Sequence, residues 1–192
     1  MRADHAAAAP RLAAGNDRVR YDGFAMTLHW LTALLVFIQF GLAEFWDFFP
    51  HPAKHVMIVA HMSLGIVLTA VVLARLVWRL TSGHRVRDAG QGLVEFGAKA
   101  LHHVFYGLLL AQMAMGFMTR WTDNHPLSFF GLPIASPFGT FSKATGGWVD
   151  EIHDLTAWTI MGLVVVHVAA ALYHHVWRRD DVLLRMLPAR SP

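Results

Sequence analysis

Thirteen of the 192 residues are histidine, and the chemistry open to them depends on where they fall. His153 and His167 stand at the two ends of HDLTAWTIMGLVVVH, a run otherwise almost wholly apolar. Imidazole is seldom placed in hydrocarbon without a polar reason. Fourteen residues of helix rise about 21 Å and, at about 100° per residue, return to within about 40° of the same face. His29 and His61 also lie in apolar runs. The chain has no cysteine, which excludes disulfides, thiolate zinc sites, iron–sulfur clusters and cysteine-attached haem. The nine methionines read as packing rather than ligation.

These histidines need elements to position them. The chain is 55% hydrophobic with a positive mean hydropathy, too apolar for an ordinary soluble domain and too short for two large ones. Four segments are apolar enough to span a bilayer, which takes about 20 such residues each. They run over about 24–45, 55–80, 94–118 and 149–177. The expected fold is all-α, an integral membrane four-helix bundle over 21–188. Residues 1–20, rich in Ala and Arg, read as a disordered cytoplasmic tail and not as a cleaved signal peptide.

Lys and Arg set the orientation. They crowd the N-terminal tail, the link between the second and third helices (Arg75, Arg79, Arg85, Arg87, Lys99) and the C-terminal end (Arg178, Arg179, Arg185, Arg190). The other side has only Lys54, Arg120 and Lys143. Both termini are therefore expected in the cytoplasm. The basic pI of about 9.7 reflects topology and contact with anionic membrane lipid, not nucleic acid. Trp46, Trp121, Trp148 and Trp177 fall near helix ends, as an aromatic belt would. The outer loop from Thr119 to Trp148 is rich in Gly, Pro and Phe and reads as a cover over the outer helix ends.

Depth decides which histidines could share a ligand. His61 and His153 match on the outer side, and His29 and His167 on the inner side. Two ligands at each of two levels do not suit zinc, which wants four at one place. They suit a group that brings its own four equatorial ligands, namely haem with two axial imidazoles. Small residues nearby (Gly65, Ala157, Gly162, Ala169, Ala170, Ala171) leave room for flat macrocycles. A lone intramembrane histidine is equally well read as a hydrogen-bonded helix contact; two depth-matched pairs are harder to read that way.

Rivals remain at the inner level. His102 and His103 open the third helix, and either could replace His29 or His167, or stand beside the ligands or at a quinone site. His174 follows His167 on the same face at headgroup depth, where it and His175 face water, lipid phosphate or a haem propionate. Arg75 serves either as positive-inside anchoring or as a partner to an inner-haem propionate. Asp154 could orient an imidazole or cap the helix, and Glu44 is a second acid near the outer edge. His5, His51, His55, His84 and His125 read as solvated.

Four stretches carry a resemblance: LHW around His29, AHMSLGIVL around His61, LHHVFYGLLL around His102, and HDLTAW…VVVHVAAALYHHVWRRDDVLLRMLP at the end. Over about 21–188 the chain resembles the bacterial cytochrome b561 family, grouped with the cytochrome b subunits of nickel hydrogenases. The resemblance implies a small inner-membrane carrier with two haems b, with ligands at His29, His61, His153 and His167. It also implies electron exchange with quinone and, for the nearest type, oxidation of superoxide at the outer face with ubiquinone as acceptor. Arg120 and Lys143 are then candidates to steer superoxide, which is an anion. Two other readings stay open. One is an electron-transfer subunit of a dehydrogenase or hydrogenase, which needs a redox partner protein. The other is a histidine-lined metal transporter.

Overall fold

The computed structural model describes residues 20–81 and 93–188. The tail expected over 1–20, together with His5 and His84, lies outside the described residues except for Arg20. Four long helices are present: α1 (Gly23–Phe45), α2 (His51–Thr81), α3 (Leu93–Thr122) and α4 (Lys143–Tyr173). Each is long and apolar enough to cross a membrane. Many large apolar side chains, such as Leu34, Phe37, Val165 and Val166, are exposed on their outer faces. Such exposure suits helices surrounded by lipid, where association does not rest on burying apolar surface from water.

The helices run longer than the apolar windows alone suggest. α2 begins at His51 rather than near 55, because Pro52 is tolerated in a first helical turn. Lys54 in that turn pairs with Asp47. α4 begins at Lys143 rather than near 149. Ser142 caps it, accepting from Thr145 N at 3.2 Å. The Gly146–Gly147 pair, which suggests a loop, serves packing instead: a Cβ on Gly146 would stand 3.3 Å from Asp123 Oδ1 and 3.5 Å from the Thr122 carbonyl. Glycine lets the start of α4 lie against the end of α3. Beyond Tyr173 the helix closes with a π turn, His174–Arg178.

The outer loop is therefore shorter than expected, and the all-α expectation needs a small correction. Strands β1 (Leu127–Phe129) and β2 (Leu132–Ile134) form an antiparallel hairpin with Phe129 opposite Leu132. Phe130 and Gly131 between them both have positive φ, 49° and 90°, as two-residue hairpin turns of type I′ require. The hairpin packs on α2. Ser63 on α2 accepts from Phe130 N at 2.8 Å and donates to the Val59 carbonyl at 2.6 Å, while Leu127 is buried. The Asn124 amide spans the loop ends, donating to the Phe141 carbonyl and accepting from Phe141 N.

Packing among the helices is uneven. α1 lies closely along α2, and α3 along α4, with a lesser contact between α2 and α3. Neither α1 nor α2 packs extensively on α4. At mid-height a small apolar cluster joins all four helices: Leu35, Leu68, Val72, Leu109, Met113 and Ile160. At the end carrying both described termini, the C-terminal segment turns at Asp180 and returns to α1. Arg185 accepts from Tyr21 N through its carbonyl, and Met186 accepts from Trp30 Nε1 at 2.8 Å. Burial pushes the Asp180 carboxyl up, but the hydrogen bonds from His174 and Val182 N and the charges of His174 and Arg178 hold it below its ordinary value.

Ser63→Ala is expected to leave the Phe130 amide without its acceptor, at a cost of about 1–3 kcal/mol to the docked hairpin. Hydrogen exchange should accelerate at Phe130 and leave the mid-height amides of α2 unchanged.

Candidate functional site

The pairing expected from depth is present in the geometry. The His61 and His153 rings are 6.5 Å apart between centroids, at the hairpin end. The His29 and His167 rings are 6.4 Å apart, at the terminal end. A metal bonded to one nitrogen of each ring at about 2.0–2.1 Å would set the ring centres about 6 Å apart. Each pair fits one ion in line between two imidazoles. Both pairs reach from the α1/α2 hairpin to α4 across the gap where helices do not pack closely. A macrocycle needs such a gap. Among the described residues no three His, Cys, Asp or Glu side chains converge as a self-contained metal site.

At the hairpin end a cavity of about 410 Å³ holds both imidazoles in its wall, with Gly65, Gly116 and Ala157 beside them. Two glycines keep that wall thin. A Cβ on Gly65 would meet Gln39 Nε2 at 2.8 Å, and one on Gly116 would meet His153 Cε1 at 3.1 Å. Gln39 and His61 bond reciprocally: Gln39 Nε2 donates to the His61 carbonyl at 2.9 Å, and His61 Nδ1 donates to the Gln39 carbonyl at 3.1 Å. That bond puts the His61 proton on Nδ1 and the lone pair on Nε2, the tautomer a metal ligand needs. Gln112 Nε2 lies 3.3 Å from His153 Nε2 and, donating there, marks the same lone pair. Gln39 Oε1, Gln112 Oε1 and His153 Nδ1 are buried with no hydrogen-bond partner, so polar capacity is left over around this cavity. The donor set and the cradle fit an axially ligated haem.

Gln39, Gln112 and Gly116 escaped the sequence reading. Their signal was present: each glutamine is a lone amide in an apolar helix, as in LVFIQFGL and LLAQMAMG. Trp46, expected in an aromatic belt, sets its ring 5.5 Å from that of His61.

At the terminal end His167 is flanked by His29, by His102 at 6.0 Å and by Phe105 at 5.7 Å. His102 donates from Nδ1 to the Ala98 carbonyl at 2.7 Å, so its Nε2 lone pair is also free. Packing separates the two candidates. His102 sits on α3, which lies close against α4 and leaves little width for a macrocycle. His29 faces α4 across the gap. Arg75 Nη2 donates to His29 Nδ1 at 3.1 Å. His103 is exposed and bonds to the Lys99 carbonyl. His174 pairs with Asp180 at 2.6 Å and not with the imidazole pair.

The rim residues divide. Arg120 lines the 410 Å³ cavity and also a neighbouring one of about 470 Å³ under the hairpin. In the first it shares the wall with Glu44, Asp123, Asp150 and Asp154, so the mouth is mixed in charge rather than basic. Lys143 opens α4, is exposed and lines neither cavity. Lys54 is paired with Asp47.

Comparison with known proteins agrees with this architecture. The sequence model of the family described as prokaryotic cytochrome b561 matches residues 20–189. Cytochrome b561 homolog 2 of Escherichia coli K12 is 29% identical over 183 residues, covering 92% of this chain and 95% of that protein. A probable superoxide oxidase CybB of Yersinia pestis is 26% identical over 175 residues, covering 89% and 97%. A probable Ni/Fe-hydrogenase B-type cytochrome subunit of Bradyrhizobium diazoefficiens is 24% identical over 161 residues, covering 67% and 63%.

Gly65→Ala is expected to displace Gln39 and lower the haem bound per chain. Gly107→Ala, where a Cβ meets nothing within 4 Å, should leave it unchanged. A haem assay on the two purified variants checks the difference.

Proposed function

The chain belongs to the prokaryotic cytochrome b561 family of haem-bearing membrane electron carriers, and from that premise we propose that it holds two haems b and passes electrons through the bilayer to or from quinone, oxidising superoxide at the periplasmic face with ubiquinone as acceptor. It is a multi-pass protein of the bacterial inner membrane, and the Lys and Arg bias puts both termini in the cytoplasm. The observation that carries the proposal is the double pairing of imidazoles, 6.5 Å and 6.4 Å apart, across the gap between helix pairs. His61 and His153 hold the periplasmic haem, and His29 and His167 the cytoplasmic one. When bound, haem would supply one-electron transfer at its iron.

The chain's own residues do the rest. Gln39 orients His61 through its Nδ1, and Gln112 leaves His153 Nε2 when that lone pair binds iron. Ile160 stands seven residues from each α4 histidine, and its cluster keeps water out of the interval between the two levels. Superoxide enters at the periplasmic rim, where Arg120 is the cation in the cavity wall and raises the local concentration of an anion. The neighbouring carboxylates confine that attraction to Arg120. The overall reaction balances: two superoxide anions each lose one electron to become dioxygen, and ubiquinone takes two electrons and two protons to become ubiquinol. His102, facing His167 with its Nε2 lone pair free, is the candidate to accept from a quinol hydroxyl. The Yersinia pestis relative's name supports superoxide as donor.

The match to a hydrogenase cytochrome subunit favours a second reading, in which a partner protein supplies the electrons. Stopped-flow mixing of the purified protein with superoxide and a water-soluble ubiquinone separates the two. The superoxide reading predicts prompt haem reduction and quinol formation without a partner, and no reduction would contradict it. Arg120→Ala should slow the superoxide step about tenfold and flatten its salt dependence, as loss of electrostatic steering does. An unchanged rate and slope would remove Arg120 from that role. His61→Ala or His153→Ala should lose one haem, and His29→Ala or His167→Ala the other, read as haem per chain.

A further inference from the structure

Arg75 sits awkwardly for the role just proposed for its neighbour. A guanidinium only donates, so its 3.1 Å bond to His29 Nδ1 makes Nδ1 the acceptor and leaves the proton of the neutral ring on Nε2. Ligation through Nε2 needs the reverse: a lone pair on Nε2 and the proton on Nδ1. Two N–H groups cannot then face each other, and Arg75 must give up His29. His61 shows the contrast, since its Nδ1 already donates to a carbonyl.

A half-buried guanidinium that loses its acceptor needs another, and an anion suits it best. The surroundings hold a second cation. Arg75 and Arg79 lie over the same Tyr106 ring, 5.5 Å and 5.7 Å from its centroid. Among the described residues no Asp or Glu forms a salt bridge with either arginine. Two like charges gathered on one aromatic face beside a ligand imidazole make a carboxylate-binding corner. We propose that Arg75, Arg79 and Tyr106 form the propionate clamp of the haem held by His29 and His167, and that Arg75 exchanges the His29 nitrogen for a propionate oxygen when this haem is seated. The inference rests on the reading that His29 and His167 hold a haem. Arg79 and Tyr106 are its new members. Arg75 binds the carboxylate and frees His29, Arg79 at the exposed rim adds the second charge, and the Tyr106 ring lies beside both guanidinium groups.

The test uses intact protein loaded with haem carrying isotope-labelled propionates, followed by redox-difference infrared spectra and a redox titration. In Arg75→Gln and Arg79→Gln the labelled carboxylate bands of one haem should shift and its midpoint potential should fall, because losing a cation favours the ferric state. Arg79→Lys should restore both readings. The affected haem should be the one missing from His29→Ala. Labelled bands and potentials at their wild-type values in both Gln variants would overturn the clamp. So would a change confined to the other haem, or unchanged bands with loss of co-purifying phospholipid, which would assign the corner to lipid phosphate. If Arg75→Gln fails to fold, Arg79→Gln decides, since Arg79 touches neither ligand. Retention of both haems in His29→Ala would defeat the ligand reading itself, and the clamp with it.

Discussion

An imidazole surrounded by hydrocarbon must find a polar partner, and the arrangement of this bundle follows from where four of them find one. Within their own helix pairs His61 bonds to Gln39, His29 to Arg75 and His153 to Gln112, which occupies one ring nitrogen of each. His61 and His29 look outward from α1/α2, His153 and His167 from α4, and they meet across the space that the helices leave open. The mid-height cluster around Val72 and Ile160 closes part of that space with side chains, and Phe40 meets Trp158 across it. A tightly packed four-helix core would bury more surface but would have no slots. The two glycines at the hairpin end express the same constraint locally: Gly65 yields its volume to Gln39, and Gly116 to the His153 ring.

The two levels are not prepared alike. At the hairpin end the tautomers are already set by Gln39 and Gln112, and buried acceptors are left over. At the terminal end a cation occupies the nitrogen that ligation must protonate, and a second histidine, His102, stands as near to His167 as His29 does. The first site resembles a mould and the second a latch that opens as it fills. On the proposed reading that difference would give two haems different electrostatic surroundings, with amides at one level and arginines at the other. Unequal potentials follow from such surroundings.

Much of this was legible in the residues because helical periodicity fixes depth. The fourteen-residue interval in α4 predicted two levels, and the apolar runs gave four spans. The helix ends were less legible. Gly146–Gly147 reads as loop until the end of α3 is known to press against it, and Pro52 reads as a boundary until it falls in a first turn. The hairpin 127–134 was hidden because three-residue strands carry no usable alternation; its signal was Phe130–Gly131, where a turn needs two positive φ values. The amides are harder to read because an amide does not ligate: Gln39 and Gln112 act only through their hydrogen bonds to His61 and His153. No one-dimensional pattern could show that Arg75 donates to His29 Nδ1, since they are 46 residues apart and meet only through packing.

The central claim is that two bis-imidazole haems sit in one chain, one at each depth. The most direct measurement is low-temperature electron paramagnetic resonance of the oxidised protein, with spins integrated against protein concentration. Two distinct low-spin ferric signals, each near one spin per chain and each typical of paired imidazoles, are expected. A single low-spin signal, or a high-spin signal reporting an open axial position, would contradict the account.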